Sequence, residues 1–194
     1  MFEILTTLGR TLGFSFAAGI NLYATVAILG LAKRYGWVTL PDQFAVFDND
    51  VVIGVAIVLY IVEFAADKIP WVDSMWDSVH TLVRPVGGAL IAVATLGEAS
   101  PSLEVIVGLL GGTIAAGSHL TKASTRVAAN TSPEPFTNWG LSVIEDVFVV
   151  GLGLLALKYP LIALGITVAL LVTIVLMLRW IFRKLRSFTR PVPA

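Results

Sequence analysis

The chain has 194 residues, of which 57% are hydrophobic and 13% charged, and its mean hydropathy is +0.88. Soluble domains carry about 25% charged residues, and the apolar residues here fall in several long runs instead of a periodic pattern. This composition excludes a soluble globular domain and predicts an integral membrane protein. The lack of cysteine excludes disulfides, thiolate metal sites and cysteine nucleophiles, and the zero net charge says nothing about partners.

Six segments in chain order are apolar enough to predict membrane crossings, each of which needs about 20 helical residues. They indicate an all-α, polytopic fold with crossings near 1–36, 51–66, 81–96, 101–130, 139–157 and 161–180. The first segment is too long for one upright crossing. It therefore either begins with an interfacial helix or breaks near Gly19.

Residues 71–80 predict a short amphipathic helix at the membrane interface, anchored by Trp71 and Trp76. Residues 183–194 form a basic tail. If both termini are cytoplasmic, ten of the 13 Lys and Arg residues lie on the inner side, as the positive-inside rule requires. We therefore expect a multi-pass protein of a bacterial inner membrane with both termini in the cytoplasm.

Two short alignments relate the halves of the chain. Ala17-Ala18-Gly19 recurs as Ala115-Ala116-Gly117, and the segment that holds Glu63 aligns with the segment that holds Glu145. Three crossings per copy would place the copies in opposite orientations, which is the plan of many secondary transporters. The predicted organisation is a first three-helix repeat over 1–98, which includes the interfacial helix 71–80, a second repeat over 99–182 and the tail.

Four motifs carry a resemblance to a known family: AAGINLYATVAILGL, KIPWVDSMWD, AAGSHLTKASTR and NTSPEPFTNWGLSVIED. Together they resemble an uncharacterised bacterial family of small integral membrane proteins that is described only as a domain of unknown function. The resemblance covers nearly the whole chain and implies a polytopic membrane protein. It implies no activity.

Gly19 and Gly117 begin polar interruptions in two apolar segments, with Asn21 and Tyr23 close to the first. Glycine lets helices approach closely, or lets a helix unwind at membrane depth and expose backbone groups to a solute. The sequence leaves both alternatives open, and it also leaves open whether these segments cross the membrane or re-enter it.

The segment 115–130 continues an apolar helix but turns polar. His119, Lys122 and Arg126 share one face of it, and Glu63, Glu145 and Asp146 lie within or beside other apolar segments. Charges in hydrocarbon cost a few kcal/mol each, so pairing or hydration is expected. One hypothesis is that the cations and His119 bind an anionic solute while the acids carry coupling protons. The other is a structural network that joins the two halves.

Asp73, Asp77 and His80 share a helical face in the 71–80 segment, a spacing that makes them a weak candidate metal site. The solvent-exposed face of an interfacial helix would show the same pattern. The sequence contains no nucleophile triad, phosphate-binding loop or zinc-protease motif, and we predict neither a cofactor nor a nucleic-acid partner.

The leading functional hypothesis is a small secondary transporter or permease, not an enzyme. It would carry a small or lipid-linked anionic solute, coupled to protons, at the interface of the repeats, with Asn21 and Tyr23 adding neutral hydrogen bonds. Its short length suggests a homodimer in the bilayer. The alternatives are a non-transporting scaffold or assembly factor, and a metal-dependent lipid enzyme within the membrane.

Overall fold

In the computed structural model, residues 1–130 and 135–188 are described, and these form helices and no strand. The α-helices in chain order are α1 (Phe2–Ile20), α2 (Leu22–Arg34), α3 (Asp50–Ala66), α4 (Pro70–Leu96), α5 (Pro101–Asn130), α6 (Pro135–Lys158) and α7 (Pro160–Phe188). A short 3₁₀ helix, Asp42–Phe47, lies between α2 and α3. The all-helical prediction is confirmed.

Within the described residues, four helical segments are long and apolar enough to cross a membrane: α4, α5, Phe136–Lys158 in α6 and Pro160–Lys184 in α7. α3 is as apolar but has 17 residues, and the first apolar segment is divided between α1 and α2. In α7 only 11% of the most apolar window is buried inside the protein. Such a helix needs an apolar solvent, so these helices belong to a membrane protein.

α1 lies at the centre of the bundle, where it packs against α4, α5, α6 and α7. Its second half is buried because small residues alternate with phenylalanines. At Gly19, a Cβ atom would overlap Ser118 Oγ and the backbone carbonyl of Ala115, so only glycine permits this approach of α1 to α5. Tight contact through small residues is the usual packing of membrane helices.

The predicted break in the first segment lies at Asn21, two residues after Gly19. Asn21 has an extended backbone (φ −147°, ψ 100°), and its side-chain oxygen accepts a hydrogen bond from the Ala24 amide at the start of α2. Asparagine is among the best residues for this capping role. Gly19 itself is helical, and its function in the structure is close packing.

The expected break at Gly117 is wrong, because α5 runs without interruption through this residue. A Cβ atom at Gly117 would meet nothing within 4 Å, so neither packing nor backbone conformation requires glycine there. The residues 71–80 also differ from expectation. They are the first part of the continuous helix α4, and Pro85 lies inside that helix instead of opening a new one.

The two halves of the chain make different contacts. α6 packs mainly against α1, α2 and α7 and also contacts α5, whereas α3, its counterpart in the proposed repeat, packs against α2 and α4. The expected tail begins in α7, which extends to Phe188. Residues 189–194, and residues 131–134 of the last motif, lie outside the described part of the chain.

Candidate functional site: a buried ion-pair network

Polar faces of four helices meet at one level of the bundle, beside the break between α1 and α2. The last turn of α3 and its cap supply Glu63 and Asp67, and the first half of α4 supplies Asp73, Asp77, His80 and Arg84. The second half of α5 supplies His119, Lys122 and Arg126, and the middle of α6 supplies Glu145 and Asp146. Within α4 and α5 the spacing of three or four residues places these side chains on one face.

Arg84 is fully buried and connects three helices. Its guanidinium donates to Glu63 Oε1 at 2.8 Å and to Asp77 Oδ1 at 3.1 Å. It also donates to the carbonyl of Gly19 at 3.5 Å and to Nδ1 of His119. The sequence analysis did not single out Arg84, and the structure makes it the central cation of the network.

The side chain of Lys122 extends from α5 toward α3, α6 and the end of α1. Its Nζ contacts Glu63 Oε1 at 3.3 Å, Asp67 Oδ2 at 3.1 Å and Glu145 Oε2 at 3.7 Å. It also donates to the carbonyl oxygen of Ile20 at 3.3 Å. The cation therefore neutralises carboxylates of two helices and caps the broken end of a third.

Arg126 binds Glu145 through two nitrogens. Nη2 is 2.6 Å from Oε2, and Nε is 3.2 Å from both carboxylate oxygens. Nη2 also donates to Asp67 Oδ2 at 3.1 Å, and Nη1 donates to the carbonyls of Asp67 and Asn138. The planar guanidinium of arginine is suited to such bidentate contacts. Arginine binds the carboxylate or phosphate group of a ligand in the same way.

Carboxyl groups outnumber cations in this region. Six buried or nearly buried acids surround three buried cations: Glu63, Asp67, Asp73, Asp77, Glu145 and Asp146 against Arg84, Lys122 and Arg126. Lys68 lies at the edge of this network, where it donates to Ser142. Even when Lys68 is counted, six acids face four cations. Five of these acids each have one buried oxygen without a hydrogen-bond partner in the described part of the chain. Unneutralised charge is costly there, so the network needs protons or water on some of these carboxyl groups.

His119 is a neutral member of this arrangement, beside the cations Arg84 and Lys122. Its Nδ1 faces Arg84, which can only donate, so Nδ1 must accept. Its Nε2 is 3.1 Å from Thr81 Oγ1, whose proton goes to the carbonyl of Asp77. Nε2 therefore carries the proton, and the imidazole is neutral.

Tyr23 and His80 form a separate pair next to the network. The Tyr23 hydroxyl is 2.9 Å from His80 Nε2, and His80 Nδ1 is 2.7 Å from the carbonyl of Trp76. Since a carbonyl only accepts, Nδ1 holds the proton and the hydroxyl donates to Nε2. Tyr23 thus reaches His80 and not Lys122 or Arg126.

The face that carries Asp73, Asp77 and His80 is buried inside the bundle instead of facing bulk solvent. Asp73 accepts from Asn130, and Asp77 accepts from Arg84. Among residues 1–130 and 135–188, no three His, Asp or Glu side chains are grouped so as to hold a metal ion. These residues therefore belong to the polar interior and do not converge on a metal position.

Asn21 and Asp146 connect the helix break to α6. Asn21 Nδ2 is 3.5 Å from Asp146 Oδ1, and both side chains are buried. Asp67 and Arg84 are the network residues that sequence reasoning missed. A signal existed for Arg84, which extends the series Asp73, Asp77 and His80 by four residues on the same helical face.

Apolar helices with a charged interior define the class of this molecule, an all-helical membrane protein. The chain belongs to the family described as Domain of unknown function (DUF4126), whose model matches residues 8–180. No curated protein sequence matches the chain significantly. No solved structure matches it significantly either.

Proposed function

We propose that this protein is a small secondary transporter that moves an anionic solute together with protons. The observation that carries the proposal is the pairing of Arg126 with Glu145. Glu145 forms the bidentate contact with the Arg126 guanidinium that a carboxylate or phosphate solute would form. Its side chain is 16% exposed, against 0% for Glu63, which makes it the more accessible of the two repeat-matched acids.

Charge balance requires that protons accompany the solute. The carboxyl groups already outnumber the cations six to three, so a further anion would raise the negative charge of a buried region. Protonation of Glu145 removes one charge and breaks its ion pair with Arg126. The solute then takes the vacated position, so one proton enters with each solute and balances one negative charge.

The break at Asn21 supplies the second part of the site. Carbonyl oxygens at the end of α1 turn toward Arg84 and Lys122, as happens in transporters with discontinuous helices. Movement of α1 relative to α2 would change which partners these cations have. Asn21 and Asp146 link that movement to α6.

In the bilayer we place six crossings, with α1 and α2 forming the first and α3 the second. The two three-helix halves, 1–98 and 99–182, are arranged as inverted repeats, and both termini face the cytoplasm of a bacterium. The matching positions of Glu63 and Glu145, which both contact Lys122, support this arrangement. A homodimer would enclose a wider solute cavity than the small protomer can form alone.

Uptake into liposomes tests the transporter function. The purified protein is reconstituted and given an acidic exterior, and the probes are labelled phosphate, a monocarboxylate, a dicarboxylate and a lipid-linked phosphate. We expect accumulation of at least one probe that depends on the pH gradient and falls at least tenfold in Arg126→Lys, which loses the planar fork. Arg34→Lys is the matched control, because Arg34 pairs with Asp48 and Asp50 at the surface.

A scaffold is the second candidate, and one observation favours it: each of the three buried cations contacts at least two carboxylates. Such a network holds α3, α4, α5 and α6 together without any movement. It predicts that no probe accumulates and that Arg126→Lys changes only the stability. Flux above the level of empty liposomes excludes the scaffold function.

A further inference from the structure

A cavity of about 180 Å³ lies between α4 and α5. Four of its lining residues come from successive turns on one face of α4, and α5 adds Arg126 together with the apolar Ala123 and Val127. The polar residues that line it are Ser74, Asp77, Ser78, Thr81 and Arg126. Its volume leaves room for several water molecules, which take about 30 Å³ each in the liquid.

The hydroxyl groups of this cavity present acceptors, not donors. Ser74 Oγ donates to the carbonyl of Pro70 at 3.0 Å, and Ser78 Oγ donates to the carbonyl of Ser74 at 2.8 Å. Thr81 Oγ1 donates to the carbonyl of Asp77 at 3.0 Å. Each hydroxyl has one proton, so its oxygen can otherwise only accept. Ser74 Oγ already accepts from Asn130 Nδ2 and Thr81 Oγ1 from His119 Nε2, whereas Ser78 Oγ keeps both lone pairs for water.

Asp77 adds the strongest acceptor. Its Oδ1 binds Arg84, and its Oδ2 is buried and has no partner among the described residues. The charged and titratable groups around Asp77 are Asp73, His80 and Arg84 on its own helix, and His119 and Arg126 on α5. Glu63 on α3 contacts the same guanidinium as Asp77.

We infer that this cavity holds water and is the route by which protons enter the ion-pair network, with Asp77 as the first acceptor. Water and hydronium are donors that match a surface of hydroxyl lone pairs and a carboxylate oxygen. Because the guanidinium of Arg84 has no lone pair to accept a proton, the proton stays on Asp77, where it weakens one of the two ion pairs of Arg84 and leaves the other, with Glu63, in place. Because the cavity would supply the coupling protons, this role rests on the transporter function proposed above.

Cysteine labelling tests the water without any assay of transport. The chain contains no cysteine, so Ser78→Cys provides a single thiol in a nearly unchanged shape. Leu82→Cys is the matched control, one turn further along α4 on an exposed apolar position. Both variants are reconstituted in liposomes and treated with a cationic, membrane-impermeant methanethiosulfonate reagent.

We expect Ser78→Cys to react at least tenfold faster than Leu82→Cys, and faster with the cationic reagent than with an anionic one of the same size. Adding Asp77→Asn to Ser78→Cys should abolish the preference for the cation. Equal, slow labelling of the two cysteines would overturn the inference, as would a charge preference that Asp77→Asn leaves intact.

The proton route has its own readout. In liposomes that contain a pH dye, Asp77→Asn should slow solute-driven proton entry at least fivefold, whereas Glu98→Gln, at an exposed acid, should not. Unchanged proton entry in Asp77→Asn contradicts the route even if the labelling succeeds. If the cavity is labelled but the parent protein moves no solute, the transporter function fails and the water-filled cavity stands.

Discussion

Lys122 Nζ donates to the carbonyl oxygen of Ile20, 102 residues earlier in the chain, at 3.3 Å. Ile20 is the last residue of α1, and its carbonyl has lost the helical partner that the break at Asn21 removes. A positive group is favourable at this end of a helix because of the helix dipole. The cationic face of α5 therefore satisfies the break in the central helix as well as the acids around it.

The glycine that allows this contact is the first testable feature. Gly19→Ala should lower the free energy of unfolding by about 1–3 kcal/mol, the usual cost of overpacking, because the new Cβ overlaps Ser118 Oγ and the Ala115 carbonyl. Gly117→Ala is the control and should be neutral or stabilising by up to about 1 kcal/mol, since it replaces an unconstrained helical glycine. Thermal unfolding in detergent, followed by tryptophan fluorescence, measures both. Equal loss in the two variants would refute the packing role.

Arg84 offers a test of the network's energetics. Arg84→Met should destabilise the protein by about 3–5 kcal/mol, because it leaves Glu63 and Asp77 buried beside an apolar side chain. The double variant Arg84→Met with Glu63→Gln should recover part of this loss, since it also removes a buried charge. Urea or thermal unfolding of the single and double variants gives the coupling energy. Additive effects would mean that Arg84 and Glu63 do not form a coupled pair.

Much of the fold follows from local patterns that packing did not overturn. The apolar runs predicted membrane helices, and the polar residue Asn21 in an apolar segment marked the position of a real break. The three-and-four spacing of His119, Lys122 and Arg126 predicted a shared face, and that face is buried. These features depend only on helical periodicity and on the cost of polar groups in an apolar environment.

The failed predictions depend on tertiary contacts. Gly117 looks like Gly19 in sequence, but no neighbour reaches Gly117, and α5 remains continuous. The acids of 71–80 suggested a solvent-exposed face because no partner for them lies within that segment. Their partners Arg84 and Asn130 come from later in the chain. The sequence also did not indicate that His119 is neutral, because it does not reveal that Arg84 faces its Nδ1.

The protonation of His119 is a spectroscopic prediction. In ¹⁵N-labelled protein at pH 7.5, the nitrogen shifts of His119 should identify a neutral ring with the proton on Nε2, because Arg84 occupies Nδ1. His80 should show the opposite tautomer, with the proton on Nδ1 donated to the carbonyl of Trp76. His119→Asn, which retains an acceptor near the Nδ1 position, should fold, whereas His119→Lys should not. A doubly protonated His119 would contradict the hydrogen-bond assignment.

Glu145 both pairs with Arg126 in the structure and is the acid proposed to take up the coupling proton. Glu145→Gln cannot ionise, so Arg126 retains only Asp67 as a charged partner and the solute no longer competes with a carboxylate. We expect exchange of labelled for unlabelled solute to persist while accumulation driven by the pH gradient falls at least tenfold, and the KM for solute to become independent of pH. Glu98→Gln, at an exposed acid, should behave as the parent does. Full pH-driven accumulation in Glu145→Gln would remove Glu145 from the coupling step, because an amide in that position cannot carry the coupling proton.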